Sequence, residues 1–133
     1  MDNDNYSNST IQFTNGLKKQ FISDGFAVKA IYQNIFENAL KYRDFKRDLI
    51  LKITIEDLTS HIKITFNDNG QGISEVIRPK IFNMFYRANV NSNNDTGLGL
   101  YIVKKALIKI GGTITVKSTE NIGSIFEIIL PRK

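Results

Sequence analysis

Asn34-Ile-Phe-Glu-Asn38-Ala-Leu-Lys41-Tyr-Arg43 is the stretch whose reading decides the fold. Wound as a helix at roughly 100° per residue, it sets Asn34, Asn38 and Lys41 on one narrow stripe. Tyr42 flanks that stripe, and Ile35, Phe36, Ala39 and Leu40 make the opposite, apolar face. Asn is a mediocre helix former because its side chain competes for local backbone hydrogen bonds. A face that only met water would use Glu and Lys instead. The stripe therefore reads as a binding surface, with amide oxygens for a hard cation and an ammonium for an anion. A plain surface helix is the rival reading, and the flanking segments decide between them.

Outward from this helix the pattern is that of a small α/β domain. Residues 1–9 are polar and expected to be a disordered leader. Residues 10–14 read as a strand, Asn15-Gly16 as a turn and 18–22 as a second strand, which makes a small hairpin. Asp24 is placed to cap the helix, which is expected to run to about Arg43. After a charged loop at 44–48, residues 49–56 and 62–67 alternate apolar with polar, the period of a half-buried antiparallel pair. A glycine-rich loop over 68–73 follows, then 74–85 as mostly short helix interrupted at Pro79, with Phe82 and Phe85 as anchors. The run Ala88-Asn-Val-Asn-Ser-Asn-Asn-Asp95 carries almost no apolar payload and reads as a mobile loop. A helix from Gly97 to Ile110 stops at Gly111-Gly112, and strands at 113–118 and 124–130 form a closing hairpin. The order ββα, ββ, helical loop, α, ββ predicts a two-layer α/β sandwich, a mixed sheet with helices on one face, in a single domain over 10–133.

Composition narrows the function classes. The 133 residues suffice for one domain with one core. No apolar run approaches the ~20 residues needed to span a bilayer, and the start lacks the basic and apolar regions of a signal peptide. The absence of cysteine excludes a disulfide framework, a Cys-based metal site and a thiol nucleophile. The net charge of +5 comes from scattered Lys and Arg with no aromatic stripe among them. It reads as a generally basic surface, with no nucleic-acid partner and no membrane contact expected.

Three further elements accompany the Asn stripe. Asp68-Asn-Gly70-Gln-Gly72-Ile73 ends a strand: its glycines let the backbone approach a ligand, and Asp68 offers a carboxylate to a base amine. As a bare local pattern it equally fits an Asx turn. Thr96-Gly97-Leu98-Gly99-Leu100 opens a helix whose first amides are an anion site, although glycines also ease helix entry. It lacks the Gly-Lys-Ser/Thr of a phosphate-binding P-loop and follows no strand, so the dinucleotide fingerprint fails too. Gly123-Ser124-x-Phe126 carries a hydroxyl that could meet the same site.

In this order the four segments resemble the ATP-binding catalytic domain of sensor histidine kinases, within the Bergerat-fold ATPase/kinase superfamily. Asn34 and Asn38 with Lys41-Tyr42 match the family's Asn box, and Asp68-Asn-Gly-Gln-Gly-Ile its first glycine box. Ile81-Phe82-x-Met-Phe85-Tyr86-Arg87 matches its Phe box, and Thr96-Gly-Leu-Gly-Leu-Tyr-Ile-Val-Lys its second glycine box. The resemblance spans about Phe21 to Leu130. It implies ATP and Mg²⁺ as bound groups and phosphoryl transfer to a His on a separate dimerisation domain. A response regulator would act through the full-length protein, and the domain would sit in the cytoplasm. It further implies that Asn38 holds Mg²⁺, that Asn34 supports that shell, and that Lys41 and Arg87 neutralise phosphate charge. Asp68 would accept the adenine amine, with Tyr42, Gly70, Gly72, Ile73 and Phe85 around the nucleotide. Thr96, Gly97, Leu98, Gly99 and Leu100 would serve the phosphates, Ser124 would join the site, and residues of about 87–96 would form a lid.

Two departures and three rivals frame this expectation. Asp95 stands where the longer glycine box often has Gly, and Met84 replaces a frequent Pro. The one His, His61, starts a strand without the acceptor's His-Glu-x-x-Thr-Pro context, so the chain reads as a piece of a longer kinase that does not autophosphorylate alone. ATP hydrolases of the superfamily place a Glu where Asn34 stands. An amide takes no proton from water, and Glu37 lies about 60° off the stripe, so hydrolysis should be slow. The alternatives are an anti-sigma-factor-type serine kinase, which usually lacks the Phe box, and a non-catalytic nucleotide-sensing module, which Asp95 alone favours.

Overall fold

A computed structural model describes residues 9–83 and 98–132. The elements are β1 (Thr10–Gly16), α1 (Gly25–Lys41), β2 (Ile50–Asp57), β3 (His61–Asp68), a 3₁₀ turn (Arg78–Lys80), α2 (Gly99–Ile110), β4 (Thr113–Thr119) and β5 (Gly123–Pro131). The strands form one sheet in the order β1-β2-β3-β5-β4. β1 runs parallel to β2 and the remaining pairs are antiparallel. With α1 and α2 against one face, this is the mixed-sheet α/β sandwich that the sequence predicts. Residues 1–8 of the expected leader (1–9), and the expected lid, lie outside the described residues.

α1 forms because its ends and one face are provided for. Asp24 Oδ1 accepts the amides of Phe26 (3.0 Å) and Ala27 (3.2 Å), groups that have no partner within the helix. Ala27, Ile31, Ile35 and Ala39, each four residues on from the last, make the buried row. Of these, Ile31, Ile35 and Ala39 share one core with Leu51, Ile53 and Phe66 of the sheet and Val103 and Leu107 of α2. Each such Ile or Leu contributes about 1.5–3 kcal/mol through burial. Asp24 Oδ2 also pairs with Lys109 Nζ at 3.0 Å, which ties the start of α1 to the end of α2. Gly111 ends α2 in the left-handed conformation (φ 78), where a side chain would be strained.

The amino end departs from the expected hairpin. Residues 18–22 form no strand, and β1 continues through Asn15-Gly16 as a ladder with Ile55 and Glu56. The reason is that the amide of Lys18 goes to a carboxylate, Asp57 Oδ2 (3.0 Å), and the Gln20 carbonyl to Arg132 Nη1 (2.6 Å), so neither joins a sheet. Arg132 Nη2 reaches the same Asp57 oxygen at 2.6 Å. The Lys18 amide foremost, then the Thr59 amide on Oδ1 (3.0 Å) and Arg132, hold the Asp57 carboxyl far below the usual carboxylate range. The segment 74–83 winds in short turns, as expected, with amide-to-carbonyl bonds from Arg78 to Ser74 (3.0 Å) and from Asn83 to Lys80 (3.0 Å); Pro79 does not interrupt them but sits inside the 3₁₀ turn Arg78–Lys80, and Ser74 Oγ accepts the amide of Ile77.

Candidate functional site

A cavity of about 230 Å³ opens between α1, the end of β3 and the start of α2. Asn34, Glu37, Asn38, Lys41 and Tyr42 line it from α1 and its end, and Asp68, Gln71, Gly72 and Ile73 from the loop after β3. Gly99 and Leu100 supply the α2 side, and Ser124 and Glu120 the β4–β5 side. Ser74, Ile77 and Ile81 complete the wall.

The floor is Asp68. As the last residue of β3 it stands across from Leu51 on one side and Ser124 on the other, on the face that carries Phe66 into the core. Its carboxylate accepts the amides of Gly70 (2.9 Å) and Ser124. Burial pushes its pKa above the ordinary aspartate range, against the opposing pull of those two amides. Gly70 is buried beside it, and a Cβ there would sit 2.7 Å from the Tyr42 carbonyl oxygen. Gly72 takes φ 74 and packs so closely on Thr119 that a side chain would drive into that residue's carbonyl. Ser118 Oγ accepts the Ile73 amide (2.7 Å), donates to the Gly123 carbonyl (3.0 Å) and meets Ser124 Oγ at 2.8 Å. Ser124 thus lies on the cavity wall, tied to Ser118 through its hydroxyl.

The opposite end is made of side chains. Asn34 Nδ2 donates to the Ala30 carbonyl at 2.7 Å, which leaves Oδ1 toward α2, 3.4 Å from where a Gly99 Cβ would lie. Asn38 and Lys41 follow on the same wall, one turn on each time. α2 starts at Gly99 behind Leu98, whose side chain has no polar group to cap it, so the positive end of the helix dipole faces Asn34.

Of the residues singled out from sequence, Asn34, Asn38, Lys41, Tyr42, Asp68, Gly72, Ile73, Gly99, Leu100 and Ser124 meet in this cavity. Gly70 stands behind Asp68 and Leu98 is the α2 N-cap, neither on the wall. Phe85, Arg87, Thr96 and Gly97, and with them Asp95, lie outside the described residues. Glu37, set aside as off the stripe, lines the cavity and accepts from Gln33 Nε2 at 3.4 Å. Sequence reading also passed over Gln71, which lies inside the first glycine box, and Glu120 and Ser118, which carry no motif. His61 lies exposed on β3 with Ser60 Oγ 2.7 Å from Nδ1, as its sequence context indicates. Among the described lining residues, none pairs a nucleophile with a base. The cavity is built to bind and orient: an acceptor for an amine at one end, oxygen donors, an ammonium and a helix start at the other.

The family model described as histidine kinase-, DNA gyrase B- and HSP90-like ATPase matches residues 23–133. The chain is 31% identical over 125 residues to the sensor protein CiaH of Streptococcus pneumoniae, covering 92% of this chain and 28% of that protein. It is 32% identical over 126 residues to the sensor protein RprX of Bacteroides fragilis, covering 92% and 24%. It thus spans about a quarter of the length of these relatives. Among solved structures, a mycobacterial sensor histidine kinase, MprB, superposes with a TM-score of 0.82 at 26% identity, covering 98% of this chain and 88% of that one. The catalytic domain of histidine kinase ThkA superposes with 0.78 at 27% identity, covering 94% and 80%.

Proposed function

This chain belongs to the histidine kinase-, DNA gyrase B- and HSP90-like ATPases, as an ATP-binding catalytic domain of the sensor-kinase kind, and on that premise we propose that it positions Mg-ATP for transfer of the γ-phosphoryl group to a histidine on a separate, helical dimerisation domain of a cytoplasmic kinase portion. In that transfer a histidine nitrogen bonds to the γ-phosphorus as the bond to the bridging oxygen breaks, and ADP leaves with the electron pair. The protein's task is positioning and charge stabilisation. Asp68 accepts the adenine amine, and Tyr42 and Ile73 flank the base. Lys41 and the α2 start take the phosphates, with Arg87 as a second cation, and a response regulator receives the phosphoryl group downstream.

The carrying observation is that one cavity is walled by Asp68 at one end and by Asn34, Asn38, Lys41 and Gly99 at the other. Mg²⁺ usually takes one or two protein oxygens and fills its octahedron with phosphate and water. Asn38 on the wall suits that habit, and among the described residues no three His, Cys, Asp or Glu converge as an all-protein cage. The bound ion would neutralise charge developing on the phosphates. Asn34, an amide where a hydrolase needs a base, favours transfer over hydrolysis.

Calorimetric titration of the chain with ATP, with and without Mg²⁺, tests the binding. Magnesium-strengthened binding is expected, followed by acid-labile phosphohistidine once a helical acceptor domain is supplied. A folded chain that binds no ATP overturns the reading.

A further inference from the structure

We propose that Arg47, in the loop between α1 and β2, is a positioning residue that sets the base-recognising geometry of Asp68 from outside the cavity; the proposal rests on the ATP reading above. Arg47 Nε donates to the Asn69 carbonyl at 2.8 Å. Its Nη2 faces the carbonyls of Gly70 (2.9 Å), Asn121 (2.7 Å) and Ile122 (3.3 Å), with Asp44 Oδ2 at 3.7 Å behind it.

The first of these contacts reaches Asp68 through a single peptide plane. The carbonyl held by Arg47 Nε and the amide of Gly70 belong to the same trans peptide and point in opposite directions. That amide is the one that donates to Asp68 Oδ1 at 2.9 Å. The next peptide repeats the arrangement, its Gly70 carbonyl on Arg47 and its Gln71 amide on the Tyr42 carbonyl at 2.9 Å. Asn121 enters the left-handed region (φ 67), its amide on the Gln71 carbonyl and its own carbonyl on Arg47. One planar guanidinium thereby fixes two consecutive peptide planes and docks the β4–β5 turn against them. A lysine ammonium, a single point on a flexible stem, cannot span that set.

The test compares wild type with Arg47→Lys and Arg47→Ala in affinity for ATP and for inosine triphosphate, which lacks the 6-amine, alongside amide hydrogen exchange of the nucleotide-free chain. Wild type should prefer ATP. Both variants should lose about tenfold of ATP affinity with little change for inosine triphosphate, and the Gly70 and Gln71 amides should exchange at least about tenfold faster while β3 and β5 amides do not. A merely structural arginine would lower Tm and leave the ATP-to-inosine-triphosphate ratio and the local exchange untouched, and that result overturns the proposal. Should Arg47→Ala not fold, Arg47→Lys carries the same comparison. A wild-type chain that binds neither nucleotide refutes the ATP reading, and Gly70 exchange then decides alone whether Arg47 orients this loop.

Discussion

The two ends of the cavity are made of different material. At the Asp68 end the proposed base acceptor is held by backbone: amides of Gly70 and Ser124 on the carboxylate, a serine pair beneath Ile73, and glycines where no side chain fits. At the Asn34 end the groups are side chains set along one helix face, opposite a helix start. Recognition of a flat, hydrogen-bonding base needs fixed directions, which a tied backbone supplies. A triphosphate and its cation need charge and oxygen within reach, which side chains supply one at a time. Substitutions at the first end should therefore change which ligand binds, and those at the second how strongly its charged part is held.

The largest expected effect tests the first half of that contrast. Asp68→Asn should cost about 3 kcal/mol of ATP affinity, roughly a hundredfold by calorimetry, because the adenine amine loses its acceptor. Tm at neutral pH should hold or rise, since a buried carboxylate no longer has to be ionised. A variant that keeps ATP affinity would move base recognition elsewhere. Asn38→Ala should cost about tenfold in the presence of Mg²⁺ and make affinity indifferent to the ion. An undiminished magnesium effect would break the assignment of that end.

Acidity separates the ends further. Burial raises the folded pKa of Asp68, so its contribution to stability is fully present below the unfolded aspartate pKa and is lost as pH rises through the folded one. If Asp68 is the base acceptor as proposed, ATP binding needs its ionised form and should fall as pH drops through that same raised value. Wild type minus Asp68→Asn should show the opposite trends in melting and in titration; parallel trends would count against the carboxylate. Asp57 is the counter-case outside the cavity. Its depressed pKa gives stability present above the ordinary aspartate range and lost on acidification. Asp57→Asn should shallow the acid loss of Tm and change neutral ATP affinity by no more than about twofold.

Among the substitutions within the cavity, the smallest effect expected is that of Gly99→Ala. Its Cβ would lie 3.4 Å from Asn34 Oδ1, tight but accommodated by a slight shift, so ATP affinity should fall about threefold. A much larger loss would mean that the α2 start is as rigidly tied as the Asp68 end.

The Asn34 end was the more legible in sequence, because helical spacing alone brings Asn34, Asn38 and Lys41 together. Asp68 was legible through its glycines. Arg47 and Ser118 were not, because the contacts that tie them to the site are to backbone groups far along the chain and leave no residue pattern. The false strand at 18–22 came from reading Asn15-Gly16 as a turn. The decisive partners are Asp57, the last residue of β2, and Arg132, just past β5, and both bind backbone there. The sheet itself read well wherever alternation was strict: Ser124, Phe126, Ile128 and Leu130 are all buried.

β1 is the exception within the sheet. Ile11 and Phe13 sit opposite Leu51 and Ile53, on the helix side, yet remain 47% and 55% exposed, because neither helix reaches over this edge. Thr10 must also find Ile50 across the whole of α1, whereas β2–β3 and β4–β5 close through tight turns. More chain entropy is spent on that ladder and less apolar burial returns it. Under a pull on its amino end the domain should therefore yield in two steps. β1 peels away first at low force, and the four strands behind it, from which Asp68 and Ser124 hang, give way only later and together.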